Sequence, residues 1–442
     1  MRQKNINMLK GPLSKNILLF TVPIAFSNML QQLFNSADTA IVGFFDTSTS
    51  LAAVGTNGEI IALIVSLSSG LSVGVNVIIA RMIGQGKREH MISIIESVLK
   101  LSIIIGLIGL IAGQCFSAPL LRLIKTPSDT IQAAVIYLRV YFIGFPFLIL
   151  YDFISAIFRA QGNSRYPFII LTLSGIMNVF LNLLFVVLFK LGVLGVAAAT
   201  AISTFISALL MLYKLKKDFP MYSLFKGIFS KEYTTECLKI GIPSAIQGAV
   251  FCFANIFVQA SVNSFGSTII AGSSIAMNFE YFSYYVITAF GQAATTFVSQ
   301  NYYSGQTKRC RKIMWISLIS SFLSSLVIIE PLVLFRTFFA GFFSTNQAVI
   351  NSACLRIMCI LFFEPLCSFY EIPAGVLKGS GHALFPAIAT ITGTCCLRIL
   401  WIYTIFRLND RLEVLYVVFP ISWVLTVLLI VIGFVILHPF RE

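Results

Sequence analysis

Four polar side chains recur at helical spacing within the first long apolar stretch, residues 18–44. They are Asn28, Gln31, Asn35 and Asp38, and steps of three, four and three residues place them on one face of a helix. Asp38 is the one ionisable group on that face, and burial in an apolar medium favours the protonated form of a carboxyl. It is therefore a candidate for exchanging protons at neutral pH. The alternative is a structural Asp38, fixed by hydrogen bonds from neighbouring Asn or Thr side chains.

The stretch that carries Asp38 is long enough to cross a bilayer as a tilted helix. An ionised Asp at mid-membrane costs about 2.5 to 3.5 kcal/mol on the insertion scale, so such residues usually line a cavity or an ion path. Asparagine and glutamine on the same face offer further oxygen atoms. The pattern indicates a helix with one polar wall, and it favours a functional role for Asp38.

The composition is that of an integral membrane protein. Of 442 residues, 57% are hydrophobic and 11% are charged, against about 25% charged in an average soluble domain. Hydropathy windows predict twelve membrane-spanning helices. The net charge of +14 comes from loops between the spans and does not indicate nucleic-acid binding. With the N-terminus inside, 19 basic residues lie on the cytoplasmic side and six on the other, which predicts a multi-pass protein of the cell membrane with both termini cytoplasmic.

The chain also repeats itself at an offset of 219 residues, and glycines and prolines mark the repeat. The pairs are Gly86 and Gly305, Pro146 and Pro365, Gly162 and Gly381, and Pro167 and Pro386. Six spans per half give both halves the same topology, related by a pseudo-two-fold axis along the membrane normal. We predict an all-α protein with an N-terminal six-helix bundle over residues 1–213, a basic cytoplasmic linker over 214–235 and a C-terminal six-helix bundle over 236–442.

Several segments, in this order and spacing, make the chain resemble the multidrug and toxic compound extrusion (MATE) family. They are NSADTAIVGFF from Asn35, FRAQGNSRYP from Phe158, its echo LKGSGHALFP from Leu377, and GVLGVAAATAIS from Gly192. The resemblance covers nearly the whole chain. It implies an antiporter that exports organic, often cationic or amphipathic compounds by alternating access while H⁺ or Na⁺ enters.

The resemblance also implies a cation site in the N-terminal half. Its members fall here on Asp38 of the first span, Asn178 and Asn182 of the fifth, and Thr200 of the sixth. Family members often have Asp at the position of Asn182, so this site carries a single formal negative charge. Na⁺ prefers several oxygen ligands and gains from a second carboxylate, whereas H⁺ needs one suitable acid. H⁺ is therefore favoured over Na⁺, although Na⁺ at Asp38 stays open.

A second pair of acids, Asp152 and Glu371, differs by one repeat offset. These side chains either line the central cavity or pair with the bases Arg159 and Lys378 near the cytoplasmic side. The chain looks unlike the NorM-like branch of the family, whose C-terminal acids would fall near Phe251 and Cys367. Tyr137 and Tyr141 are interpreted as packing residues, and Arg139, Arg356 and Arg398 as side chains that neutralise embedded acids or reach toward the membrane surface.

A carboxylate beside aromatic rings suits an organic cation through charge attraction and cation–π contact. Glu280 has such neighbours, and we expect substrate to bind between the halves. The alternative is a structural Glu280, bonded to Asn or Tyr. The predicted cavity residues are Gln31, Asn35, Asn255, Gln259, Met277, Glu280, Tyr281 and Tyr284.

Enzymatic motifs such as HExxH, a P-loop or a dinucleotide fingerprint are absent from suitable contexts. We therefore expect a secondary active transporter without cofactors, acting as a monomer. Two other functions stay open within the superfamily: a flippase for lipid-linked oligosaccharide or peptidoglycan precursors, and an exporter dedicated to one metabolite. The acid-bearing cavity and the count of twelve spans favour export of drugs or other cations.

Overall fold

The computed structural model describes residues 5–124, 126–222 and 229–440, and this part of the chain is helical without strands. Its α-helices are α1 (Leu13–Phe45), α2 (Ser48–Gly84), α3 (Met91–Leu123), α4 (Ile131–Ala160), α5 (Arg165–Asn182), α6 (Gly192–Asp218), α7 (Lys231–Asn263), α8 (Ser267–Tyr303), α9 (Thr307–Leu334), α10 (Arg336–Gly341), α11 (Gln347–Cys359), α12 (Ser368–Gly379), α13 (Leu384–Thr390), α14 (Leu397–Trp401) and α15 (Leu412–Leu437). Shorter helical turns are Arg88–His90, Leu183–Leu188, Leu361–Cys367, Ile391–Cys396 and Ile402–Phe406.

Eleven helical runs within the described ranges are long and apolar enough to cross a membrane. Three of them join several elements: Arg165–Leu188, Gln347–Gly379 and Leu384–Phe406. The twelfth run is α8, which spans 37 residues and is rich in Ser, Thr, Asn, Gln and Tyr. The prediction of an all-α membrane protein with twelve long helices is confirmed.

The repeat is visible in the backbone. Gly86 and Gly305 follow α2 and α8 with φ of +73° and +77°, and Gly162 and Gly381 follow α4 and α12 with φ of +85° and +94°. A positive φ is accessible to glycine at little cost because it has no Cβ. The glycines recur because each ends the equivalent helix in each half.

The chain divides into two units by its internal contacts. The first unit contains residues 1–6 and 26–242, and α4 lies at its centre, packed against α2, α3 and α6. The second contains residues 7–25 and 243–442, and α8 lies at its centre, packed against α9, α11 and α12. Each has its own hydrophobic core, with Phe153 among the buried residues of the first and Tyr416 among those of the second.

The unit boundaries fall inside α1 and α7, close to Pro23 and Pro243. In the first unit, Arg81 pairs with Glu236 at the beginning of α7, with 3.2 Å between Nη1 and Oε2. In the second, Phe20 of α1 packs edge-on against Phe297 with 5.6 Å between ring centroids. The sequence-based division at residues 213 and 236 did not anticipate this exchange of helix ends.

The predicted linker, residues 214–235, is largely helical at both ends. α6 continues to Asp218, and α7 begins at Lys231. Residues 223–228 lie outside the described residues.

Candidate functional site

Three helices of the first unit bring four predicted side chains together. Asp38 comes from α1, Asn178 and Asn182 from the end of α5, and Thr200 from α6. Asn182 Nδ2 donates to Asp38 Oδ1 at 2.5 Å and to Asn178 Oδ1 at 3.1 Å, while Asn178 Nδ2 donates to Thr200 Oγ1 at 3.2 Å. Thr200 Oγ1 lies 3.2 Å from Asp38 Oδ2. The four side chains thus form a closed ring of hydrogen bonds, which we call the Asp38 cluster.

The hydrogen bonds of this ring can be made whether Asp38 is ionised or protonated. Thr200 has one hydroxyl hydrogen but two acceptors in range, the Val196 carbonyl at 3.1 Å and Asp38 Oδ2 at 3.2 Å. With an ionised Asp38, Thr200 donates to the carboxylate, and the Val196 carbonyl still accepts the Thr200 backbone N–H within α6. With a protonated Oδ2, Asp38 donates to Thr200 and Thr200 donates to Val196. The geometry therefore fits a carboxyl that gains and loses a proton.

The site also contains a buried amide oxygen. Asn182 is fully buried, and its Oδ1 has no hydrogen-bond partner among the described residues. That oxygen points away from the bond with Asp38, because Nδ2 of the same amide faces the carboxyl. A Na⁺ ion bound by Asp38 and Asn182 together would require the amide to turn over. Within the described residues no group of three or more His, Cys, Asp or Glu side chains is arranged to hold a metal ion.

A small cavity of about 20 Å³ borders the cluster on the α4 and α6 side. Thr200 and Tyr141 both line it, together with Gly144, Phe145, Leu148, Ala201 and Thr204. A cavity of this size with hydroxyl groups in its wall holds about one water molecule. Tyr137 and Tyr141 also lie within electrostatic range of Asp38, so the tyrosines treated as packing residues in the sequence stand beside the candidate site.

The paired acids Asp152 and Glu371 each have a hydroxyl donor and a basic neighbour. Asp152 accepts a hydrogen bond from Ser68 Oγ and lies within electrostatic range of Arg159. Glu371 Oε1 accepts from Tyr284 OH at 3.0 Å, and Lys378 lies within its electrostatic range. Each acid therefore has a base of its own helix within electrostatic range, and the choice between a cavity role and pairing with that base stays a prediction.

Glu280 requires a correction. Arg356 of α11 holds it in a bidentate ion pair, with Nε to Oε1 at 2.7 Å and Nη2 to Oε2 at 2.8 Å, and Nη1 of the same arginine donates to Ser273. Both side chains are largely buried. The expectation that Glu280 offers its charge to a cationic substrate is therefore wrong for this structure. The expectation that Arg356 neutralises an embedded acid is confirmed.

The other predicted cavity residues divide between the two units. Gln31 and Asn35 belong to α1 in the first unit, where Gln31 is half-buried and Asn35 is exposed. In the second unit, Asn255 accepts a hydrogen bond from Arg398, and Gln259 donates to Asn263 at 2.9 Å. Tyr284 is bound to Glu371 as described above, and half-buried Met277 lies one turn before Glu280.

Tyr281 stacks on Tyr285 with 6.1 Å between ring centroids, so these rings pack with each other. Within the described residues Arg398 has no ion pair with an acid, and it is buried, contrary to the expectation from the sequence. Its side chain is 1% exposed and bound to Asn255 and Ser422.

Comparison with known proteins supports the assignment of the fold and family. The MatE family model matches residues 23–184 and again 243–404. The chain is 26% identical to the "Probable multidrug resistance protein YoeA" of Bacillus subtilis (strain 168), over 85% of this chain and 83% of that protein. It is 27% identical to the "Probable multidrug resistance protein NorM" of Thermotoga maritima, over 85% and 82% of the two chains.

A solved MOP superfamily transporter from Pyrococcus furiosus Vc1 (DSM3638) shares the fold, with a TM-score of 0.91, 22% identity and full coverage of both chains. The distinction from the NorM-like branch rests on Phe251 and Cys367 and stays a prediction. The two matches of the family model begin 220 residues apart, in agreement with the repeat. The chain belongs to the MatE family and is a multi-pass membrane transporter, not an enzyme.

Proposed function

We propose that the protein is a cation-coupled antiporter that exports organic, often cationic or amphipathic compounds, with H⁺ as the favoured coupling ion. The observation that carries the proposal is the Asp38 cluster, a buried ring in which one carboxyl is surrounded by neutral donors and acceptors. An intramembrane carboxyl without an ion pair is costly unless it titrates or binds a cation. The names of the relatives, probable multidrug resistance proteins, support organic compounds as substrates.

The choice of H⁺ over Na⁺ is supported by the hydrogen bonds and the charge of the Asp38 cluster. A proton on Asp38 Oδ2 can be donated to Thr200 Oγ1 without moving any side chain. Na⁺ would need the Asn182 amide to turn and would leave its nitrogen without an acceptor. With one formal negative charge in the cluster, a proton also leaves the site neutral. These features support H⁺ as the ion.

Exchange needs only that substrate and proton favour opposite states of one element. α1 carries Asp38 and, about four turns earlier, the helix-interior Pro23. Proline removes a backbone hydrogen bond and permits a bend. We propose that protonation of Asp38 repacks α1 and thereby weakens substrate binding, and that loss of the proton to the cytoplasm restores the first state.

We also propose that both termini lie in the cytoplasm. The excess of basic residues in alternate loops, 19 against six, supports cytoplasmic positions for both termini in the cell membrane. The proposed partners are the small organic substrate, the coupling ion and the lipid bilayer, with the protein acting as a monomer.

The test is efflux measured in inverted vesicles with a pH gradient and a Na⁺ gradient imposed separately. A fluorescent amphipathic cation should be transported when the pH gradient alone is present. Transport that follows the Na⁺ gradient and ignores the pH gradient would contradict H⁺ coupling, and transport that follows neither would contradict antiport.

A further inference from the structure

The region of the second unit that repeats the Asp38 cluster contains a fixed positive charge. One repeat offset carries Thr200 to Phe419 and carries Asn178 to the residue before Arg398. In both repeats a π-helical turn follows this region, Leu183–Leu188 in the first and Ile402–Phe406 in the second. Where the first half has a carboxyl that takes up a cation, the second half therefore has an arginine.

Arg398 is held in place by several contacts, but only some of its N–H donors form hydrogen bonds within the described chain. Its Nε donates to Ser422 Oγ at 3.2 Å and its Nη1 donates to Asn255 Oδ1 at 3.0 Å. The guanidinium carbon lies 4.1 Å from the ring centroid of Phe419 and 5.6 Å from that of Phe251. Nη2 has no hydrogen-bond partner in the described chain, and protein atoms do not fully enclose it. It therefore borders accessible space, although the side chain as a whole is 1% exposed.

No described carboxylate forms an ion pair with Arg398, and the buried acids of the second unit are engaged elsewhere. Glu280 is paired with Arg356. Glu364 lies within electrostatic range of that same pair, and Glu371 is bound by Tyr284 and faces Lys378. The electrostatic neighbours of Arg398 are tyrosine hydroxyls and cysteine thiols.

An arginine in this position is always ionised, and an intramembrane charge without a partner is costly and usually functional. A guanidinium presents parallel N–H donors that match the two oxygens of a carboxylate. Phe251 lies beside the guanidinium and stacks on Tyr284 with 6.2 Å between centroids and nearly parallel rings, so aromatic surface extends from Arg398. The surroundings suit a flat molecule that carries an acid group.

We propose that Arg398 binds a carboxylate group of the exported compound, so that the second half recognises aromatic acids or zwitterions. This inference rests on the proposed export function and adds compounds with a carboxylate group to its substrate class. The repeat thus has opposite polarity in its two halves: a carboxyl that exchanges a cation in the first, and a guanidinium that holds an anionic group in the second.

The test uses two dyes that differ only at the acid group, rhodamine B with a free carboxyl and its ethyl ester. Dissociation constants are measured by fluorescence anisotropy on the full-length protein in detergent at neutral pH. Replacing the guanidinium in Arg398→Met should weaken the acid relative to the ester by about tenfold or more, as expected for a charge-assisted hydrogen bond. Arg398→Lys keeps the charge but loses the parallel N–H donors of the guanidinium, so its relative affinity for the acid should lie between those of the wild type and Arg398→Met.

An unchanged acid-to-ester ratio in Arg398→Met would overturn the proposal. Equal weakening of both dyes would do so as well, because it would make Arg398 a structural cation. Should Arg398→Met fail to fold, a competition experiment on the wild type tests the proposal. Benzoate should displace the acid dye and not the ester dye. Displacement of neither dye, or of both equally, would contradict the proposal. Asp38→Asn separates this inference from the proposed antiport. The variant should lose coupled transport, which tests antiport, while its ratio of acid to ester affinity should stay at the wild-type value.

Discussion

Asn182 Nδ2 lies 2.5 Å from Asp38 Oδ1, although 144 residues separate them in sequence. The contact places a neutral amide where a second carboxylate would create a site for Na⁺. In Asn182→Asp, two carboxyls would share the buried position, and two like charges at this distance cannot both stay ionised without a cation. We expect Na⁺ to raise the thermal midpoint of this variant at alkaline pH, and K⁺ not to. The wild type should show no such difference, and a wild type that Na⁺ stabilises equally would contradict the preference for H⁺.

Removing an amide should be milder than removing the charge. Asn178→Ala loses the donor to Thr200 and the acceptor for Asn182, yet it leaves Asp38 able to titrate. A neutral hydrogen bond contributes about 0.5 to 1.5 kcal/mol, so we expect transport at about one tenth to one half of the wild-type rate. Initial rates in proteoliposomes measure this. A complete loss of coupled transport in well-folded Asn178→Ala would show that the amide is essential to coupling.

The four members of the Asp38 cluster could be named from the sequence because spacing places Asn178 and Asn182 on one helical face and the family resemblance supplies the rest. The partners of Asp38 across 144 residues follow the packing of α1 against α5, which periodicity does not describe. The same limit applies to Glu280. Its neighbours along α8 predicted an aromatic cation site, but Arg356, 76 residues away, forms an ion pair with it.

The pair of Glu280 and Arg356 should matter for stability. Glu280→Gln leaves a buried guanidinium unpaired, and breaking a buried pair in this way costs about 3 to 5 kcal/mol. The thermal midpoint should fall clearly, and the double variant Glu280→Gln with Arg356→Gln should recover part of the loss. Glu330→Gln, at an exposed position, is the control and should be near neutral. A single variant as stable as the control would show that the pair does not stabilise the fold.

Close helix contact in the first unit gives a second stability test. A Cβ on Gly74 would overlap the backbone oxygen of Cys237, whereas a Cβ on Gly58 of the same helix meets nothing within 4 Å. Overpacking of this kind costs about 1 to 3 kcal/mol, so Gly74→Ala should lower the thermal midpoint. Gly58→Ala should raise it slightly or leave it unchanged, because alanine favours a helix over glycine. Equal effects would show that α7 does not approach α2 so closely in solution.

The sequence also did not predict that the first part of α1 belongs to the second unit and the first part of α7 to the first unit, with the boundaries near Pro23 and Pro243. Hydropathy finds a span from its apolar length, and length does not say which bundle each end joins. The repeat, in contrast, was readable because glycines with positive φ recur at fixed positions, such as Gly162 and Gly381.

Substrate affinity should depend on pH in a defined direction. Substrate is proposed to favour the state in which Asp38 is ionised, so protonation competes and affinity should fall as pH falls, by at most about tenfold per pH unit for one proton. Binding to the detergent-solubilised protein between about pH 5.5 and 8.5 covers the range in which a buried carboxyl can titrate. In Asp38→Asn the dependence should vanish. A wild-type affinity that is flat over this range would separate Asp38 from substrate binding.

The most direct measurement compares uphill transport by the wild type and Asp38→Asn in proteoliposomes with an imposed pH gradient. The wild type should accumulate a fluorescent substrate against its concentration gradient. Asp38→Asn, which keeps the shape of the side chain but cannot carry the proton, should fail to accumulate it. Accumulation by a correctly folded Asp38→Asn at the wild-type level would contradict coupling through Asp38.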